Sequence, residues 1–154
     1  KYLMFIDSDD FASDRAVCEI LQVLEQDMDI AEGVSLTQED VRAVQLAKAA
    51  VAAGIETMLE VAKTTVEDID AFYICGGFGI RLDLHSAAAV GLFPSQLVSK
   101  AHPLGNAALT GAAMALLDPA QQAALGDMAQ LAVPVELGGN AAFYDRFIAH
   151  MLFD

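Results

Sequence analysis

Two glycine-containing segments are the residues in this chain most suited to holding a ligand. The first, Gly76-Gly-Phe-Gly79, follows the uncharged stretch Ala71 to Cys75, which is typical of a strand covered on both faces. Glycine lacks a Cβ atom, so such a loop can adopt positive φ and bring its backbone against a flat or charged ligand. Small-molecule sites of α/β proteins lie at such strand ends. An ordinary strand-to-helix turn explains the segment equally well.

The second segment, Gly105 to Leu117, is predicted to be a helix with almost no polar surface. Asn106 is expected to cap it, and the free N–H groups of its first turn could receive an anion. Structural capping alone would equally explain an asparagine there. Gly111 should cost about 1 kcal/mol relative to alanine in a helix interior. A close approach by another element is the commoner reason for such small residues.

A lysine and a glutamine on a long amphipathic helix are further candidates. Thr37-Gln-Glu-Asp40 predicts a helix start, and an apolar stripe continues to about Lys63. Lys48 lies inside that stripe. It either extends along its aliphatic stem to the surface, as long cationic side chains usually do, or directs its ammonium at an anion. Gln45, at the edge of the stripe, is a weaker candidate of the same kind.

Composition excludes several functions. The chain has 154 residues, enough for one domain, and a formal net charge of −14, which argues against nucleic acid or an anionic membrane as partner. Cys18 and Cys75 give neither a metal-ligand spacing nor a disulfide framework. The three histidines match no nucleophile motif, so no catalytic residue is named, and no metal site is expected. With no transmembrane run and no signal peptide in the sequence, a cytoplasmic protein is expected.

The chain is predicted to have an α/β fold, because strand and helix patterns alternate along it. Residues 1–34 are assigned to N-terminal strands including a hairpin, and residues 35–154 to one lobe. Further strands are expected at Leu97–His102 and, as an edge strand, at Val133–Leu137. The sequence begins in mid-pattern without a methionine, so it is expected to be a fragment of a longer protein.

The glycine segments together resemble a known superfamily. Gly76-Gly-Phe-Gly79 looks like the adenosine motif of the acetate and sugar kinase/heat-shock chaperone/actin (ASKHA) superfamily, and Gly105-Asn-Ala-Ala-Leu-Thr-Gly-Ala-Ala113 looks like its second connecting helix. Within that superfamily, the two glycine segments together with Leu36 to Ala50 resemble the C-terminal part of the reductive activators of corrinoid proteins most closely. That likeness covers roughly Ser35 to Asp154.

The resemblance implies a ribonuclease-H-like lobe, with a mixed sheet and packed helices, that binds the adenosine side of ATP or ADP. It implies contacts to nucleotide from Gly76, Gly77, Phe78, Gly79, Gly105 and Asn106, with Lys48 and Gln45 nearby. The intact activator would be an ATPase that uses Mg²⁺ and a 2Fe–2S cluster in a missing N-terminal domain to return Co(II) corrinoid proteins to Co(I). This chain alone would be inactive, since the phosphate-binding loops of the form Asp-x-Gly-Thr-Thr are absent.

Two other functions are compatible with the same motifs. One is a lobe of a small-molecule (sugar or acyl) kinase of the same superfamily. The other is a lobe that mediates interdomain or subunit contacts, including a homodimer, without binding nucleotide. A four-cysteine iron–sulfur motif upstream would favour the activator, and a sugar- or acyl-binding motif there would favour the kinase.

Overall fold

A computed structural model describes residues 2–5 and 37–153, with side chains given within 37–153 except that of Phe78. Helices dominate this part of the chain, and three strands form its sheet. In chain order the elements are β1 (Tyr2–Phe5), α1 (Gln38–Val61), β2 (Ala71–Cys75), α2 (Gly77–Arg81), α3 (Leu84–Ala89), a 3-10 helix (Ser95–Lys100), β3 (Ala101–Gly105), α4 (Ala107–Leu117), α5 (Pro119–Leu131) and α6 (Ala141–Ala149).

The three strands pair in parallel in the order β1-β2-β3. Tyr2 lies opposite Ala71 and Phe72 opposite Ala101, with an irregularity after Ile74. Parallel neighbours need a crossover connection, and α1 lies within the connection between β1 and β2. The α/β prediction is confirmed. All three described strands are parallel, so the antiparallel strand of the predicted mixed sheet is not among the described residues.

The core lies between α1, the sheet and the segment that follows α2. Ile55 and Leu59 of α1 pack with Phe72 and Ile74 of β2. The rings of Phe72 and Phe93 meet edge to face at 5.2 Å between centroids, a favoured aromatic geometry. The predicted apolar stripe of α1 therefore does face a core.

α6 contacts α1 through polar side chains. The Arg146 guanidinium donates to Glu60 Oε2 at 2.7 Å and to Thr57 Oγ1 at 3.2 Å. His150 Nε2 lies 2.9 Å from Glu56 Oε1. The sequence pattern of this last helix predicts a buried face of Phe143, Phe147, Ile148, Met151 and Leu152. The structure half-buries Phe143, Phe147 and Met151, whereas Ile148 and Leu152 are exposed, so this part of the prediction is wrong.

Other predictions about local structure need correction. Val133–Leu137 forms no strand: it pairs with none of the described strands, and Val133 is exposed. Ser95–Lys100 is a 3-10 helix rather than strand, anchored by the fully buried Leu97, and the strand begins only at Ala101. The predicted N-terminal strand is present at Tyr2–Phe5, whereas the hairpin predicted before residue 35 lies outside the described residues. None of the described helices is long and apolar enough to cross a membrane.

Candidate functional site

The carboxyl ends of β2 and β3 bring the two glycine segments together. The Gly76 N–H donates to the Gly105 carbonyl oxygen at 2.7 Å. Both residues have positive φ, 100° at Gly76 and 66° at Gly105, a region that side chains with a Cβ rarely adopt. An added Cβ at Gly105 would also lie 2.9 Å from Ile80 Cδ1. The two segments, separated by 25 residues or more in the sequence, thus form one edge of the sheet.

The glycine segment is helical rather than a loop. α2 begins at Gly77, directly after Gly76, so the expected extended glycine loop is reduced to one residue of unusual backbone conformation. An added Cβ at Gly79 would lie 2.6 Å from Ile74 Cγ2, which explains Gly79 by packing. An added Cβ at Gly77 would meet nothing within 4 Å, and Gly77 is exposed. Gly77 is therefore the glycine whose absent side chain leaves open space at this edge.

Asn106 caps α4, as predicted. Its side-chain Oδ1 accepts a hydrogen bond from the Leu109 N–H at 2.9 Å, and its carbonyl oxygen accepts from the Thr110 hydroxyl at 3.1 Å. The cap follows Gly105 directly, so the first turn of α4 starts at the same sheet edge as Gly76. The anion-binding role of this turn stays a prediction.

Lys48 is buried, with 4% of its surface exposed, so the interpretation in which its ammonium reaches the surface is wrong. Its Nζ donates to the carbonyl oxygen of Leu152, and the Phe153 ring centroid lies 5.0 Å away. An added Cβ at Gly91 would lie 3.3 Å from Nζ. These contacts involve the segment after α6 and the turn after α3, not the glycine segments.

Gln45 is half-buried one turn before Lys48 on α1. A helix that links parallel strands runs back along the sheet, antiparallel to them. The second half of α1, which packs with β2, leads to the start of that strand. The first half, with Gln45 and Lys48, is therefore directed towards the edge where β2 and β3 end.

Two other features were not predicted from the sequence. The first is the cluster of Arg146, Glu56, Glu60 and His150 between α1 and α6; its only sequence signal was charge on the polar faces of two helices. The second is an open groove of about 590 Å³ between α3 and the 3-10 helix, lined by His85, Ala88, Ala89, Ser95, Val98 and Ser99, which includes none of the predicted site residues. In residues 37–153 no group of three acidic, histidine or cysteine side chains could hold a metal ion.

Comparison with known proteins gives a consistent result. Residues 4–154 match the family model described as the C-terminal domain of RACo, the ASKHA domain. The chain is 32% identical over 120 residues to the corrinoid activation enzyme RamQ of Eubacterium limosum, covering 78% of this chain and 20% of that protein. A solved structure described as a reductive activator for corrinoid, iron–sulfur protein matches with a TM-score of 0.72 and 34% identity, over 77% of this chain and 19% of that one. The chain thus spans about a fifth of the length of these relatives.

Proposed function

The chain belongs to the RACo C-terminal ASKHA-domain family, and from this we propose that it is the adenosine-side nucleotide-binding lobe of an ATP-dependent reductive activator. The longer protein would return Co(II) corrinoid proteins to Co(I) in a methyl-transfer system. Its partner would be a corrinoid protein, and it would work in the cytoplasm.

The observation that carries this proposal is the 2.7 Å hydrogen bond between Gly76 and Gly105. It holds both glycine segments at the carboxyl edge of a parallel sheet, where α/β proteins bind small molecules. Adenine or ribose would lie against Gly76 and the exposed Gly77, with Phe78 and Gly79 in the same turn. Gly105 and Asn106 would border the ligand from β3, and Gln45 and Lys48 would approach from α1.

The phosphate side of the reaction would come from elsewhere in the longer protein. Phosphoryl transfer depends on positioning and on neutralising charge around the terminal phosphates and Mg²⁺, and the sequence has no phosphate loop of the required type. The 2Fe–2S cluster would likewise belong to an N-terminal domain. Because half of the cleft is supplied by other residues, the affinity of this chain for nucleotide is expected to be weak.

Of the alternatives, the interaction lobe is favoured by one observation. None of the residues of α4 and α5 is buried, and leucines on both helices are exposed, as in a surface that contacts another lobe or subunit. Such a surface is compatible with nucleotide binding at Gly76, so the two functions do not exclude each other. The kinase alternative has no such support, since both relatives named above are corrinoid activators.

Calorimetric titration with ADP and ATP, with and without Mg²⁺, tests the proposal. We expect binding that is insensitive to Mg²⁺ and to the γ-phosphate. Gly77→Val should abolish it without unfolding the chain, because the new side chain would occupy the space open to the ligand, and its Cβ atom would meet nothing within 4 Å.

Gly126→Val is the matched control for this titration. Gly126 is also a helical glycine with nothing within 4 Å of an added Cβ, but it lies in α5, away from the glycine segments. Equal affinity of Gly77→Val and the unmodified chain would contradict the adenosine assignment. Absence of ADP binding both by this chain and by a longer polypeptide that contains it would overturn the proposal.

A further inference from the structure

The buried position of Lys48 requires partners for its charge. Transferring an ammonium group out of water is costly unless hydrogen bonds or opposite charge replace its hydration. Two of the replacing contacts come from one short segment: the Leu152 carbonyl oxygen accepts a hydrogen bond from Nζ, and the Phe153 ring lies over the ammonium at 5.0 Å. This second contact has the geometry of a cation–π interaction. We call Leu152–Phe153 the strap.

The strap itself is weakly held. Leu152 is 69% exposed and Phe153 45% exposed, so neither buries much apolar surface in its present position. Segments with few buried contacts open locally at low free energy. The contacts to Lys48 are therefore a large part of what keeps the strap in place.

The preceding helix is anchored separately. Arg146 forms ion pairs with Glu56 and Glu60, and His150 contacts Glu56. Met151 is half-buried, and its N–H donates to the Ile148 carbonyl oxygen at 3.3 Å. These contacts end just before Leu152, so the strap can leave Lys48 while α6 stays on α1.

The two groups that the strap offers to Lys48 are an oxygen acceptor and an aromatic ring. An adenine nucleotide offers the same two kinds of group, together with negative charge. We propose that the strap occludes Lys48 in the nucleotide-free protein and that the bound nucleotide displaces it, so that strap opening regulates the affinity of the site. This inference rests on the proposed function.

Phe153→Ala tests the strap without nucleotide. The variant should fold normally because Phe153 is partly exposed, and it should make Lys48 more accessible to an amine-acylating reagent. Peptide mass spectrometry should show Lys48 acylation at least several times faster than in the unmodified chain. Tyr144→Ala is the matched control, since it removes an exposed aromatic ring from α6 and should leave the rate unchanged. An unchanged rate in Phe153→Ala would overturn the strap.

ADP titration then tests competition, in this chain or the longer polypeptide, whichever binds ADP. Phe153→Ala should bind ADP about 3- to 10-fold more tightly, the range expected when a partly exposed cation–π contact no longer competes. The same substitution should have no effect in a Lys48→Met background. Normal ADP binding with equal affinities in Phe153→Ala and the unmodified protein would overturn the strap alone. Absence of ADP binding in every form and variant would overturn both the strap and the proposed function.

Discussion

Gly79 packs so closely against β2 that its lack of a side chain is a requirement of the fold. An added Cβ would lie 2.6 Å from Ile74 Cγ2 and 3.3 Å from the Ile74 carbonyl oxygen, and the backbone atom cannot move as a side chain can. Gly76 and Gly105 are explained by positive φ. Of the four glycines at this sheet edge, only Gly77 is explained neither by positive φ nor by close packing. It is therefore the most informative residue for testing whether a ligand binds here.

Gly79→Ala should therefore destabilise the chain, by about 1–3 kcal/mol as for other overpacked sites. Gly77→Ala, two residues earlier in the same helix, should be neutral or slightly stabilising, because alanine is the better helix former and its Cβ meets nothing within 4 Å. Urea denaturation of both variants measures the difference. Equal losses of stability would show that the packing around Gly79 is not as described.

At the level of elements, the helix starts were predictable because their signals are local. Thr37, Asn106 and Asn140 each accept a hydrogen bond from a backbone N–H in the first turn of the following helix, as their residue types predicted. The strand β2 was equally clear from its uncharged sequence. Contacts between distant segments were not predictable: nothing near Lys48 in the sequence indicates Leu152 or Phe153, which lie more than 100 positions away.

The same limit applies to the candidate site. The sequence predicted that the first glycine segment follows a buried strand and that the second begins a helix. The hydrogen bond from Gly76 to Gly105, however, depends on β2 and β3 being neighbours in the sheet. The edge strand predicted at Val133–Leu137 was wrong for the same reason. A strand needs a neighbour to pair with, and no described strand pairs with this segment.

The start of α1 gives a pH-dependent prediction. The Thr37 hydroxyl donates to Asp40 Oδ2 and the Thr37 N–H donates to the same oxygen at 2.8 Å. These bonds, the hydroxyl first, hold the pKa of Asp40 below its ordinary value of 3.8. A carboxyl with a lowered folded-state pKa contributes stability above the unfolded-state pKa and loses it as the pH falls through the folded-state pKa.

Thr37→Ala should accordingly destabilise the chain at neutral pH, and this difference should shrink as the pH falls below 3.8 and Asp40 becomes protonated. Urea denaturation across that range, with the Asp40 pKa followed by NMR, measures both effects. Thr37→Ser keeps the hydroxyl and is the control. A pKa of Asp40 that does not rise in Thr37→Ala would contradict the hydrogen-bonded cap.

In the molecule as a whole, apolar surface is distributed unevenly. The core between α1 and the sheet is closed, with Leu97 and Ile55 fully buried. The α4–α5 hairpin, in contrast, buries none of its residues, although Gly105 to Val133 contains only two charged residues, Asp118 and Asp127. Because none of its residues is buried, the hairpin contributes little packing energy to the stability of the chain. Isolated helices of this length are also marginal in water.

Two leucine-to-alanine variants measure this contrast with identical chemistry. Leu97→Ala removes a fully buried side chain and should cost about 2–5 kcal/mol, as large-to-small core substitutions do. Leu117→Ala, at a position 85% exposed, should change the free energy of unfolding by less than about 0.5 kcal/mol. Urea denaturation at low protein concentration gives both values. A loss for Leu117→Ala comparable to that for Leu97→Ala would mean that the hairpin is covered in solution. A loss that grows with protein concentration would identify a second copy of the chain as what covers it.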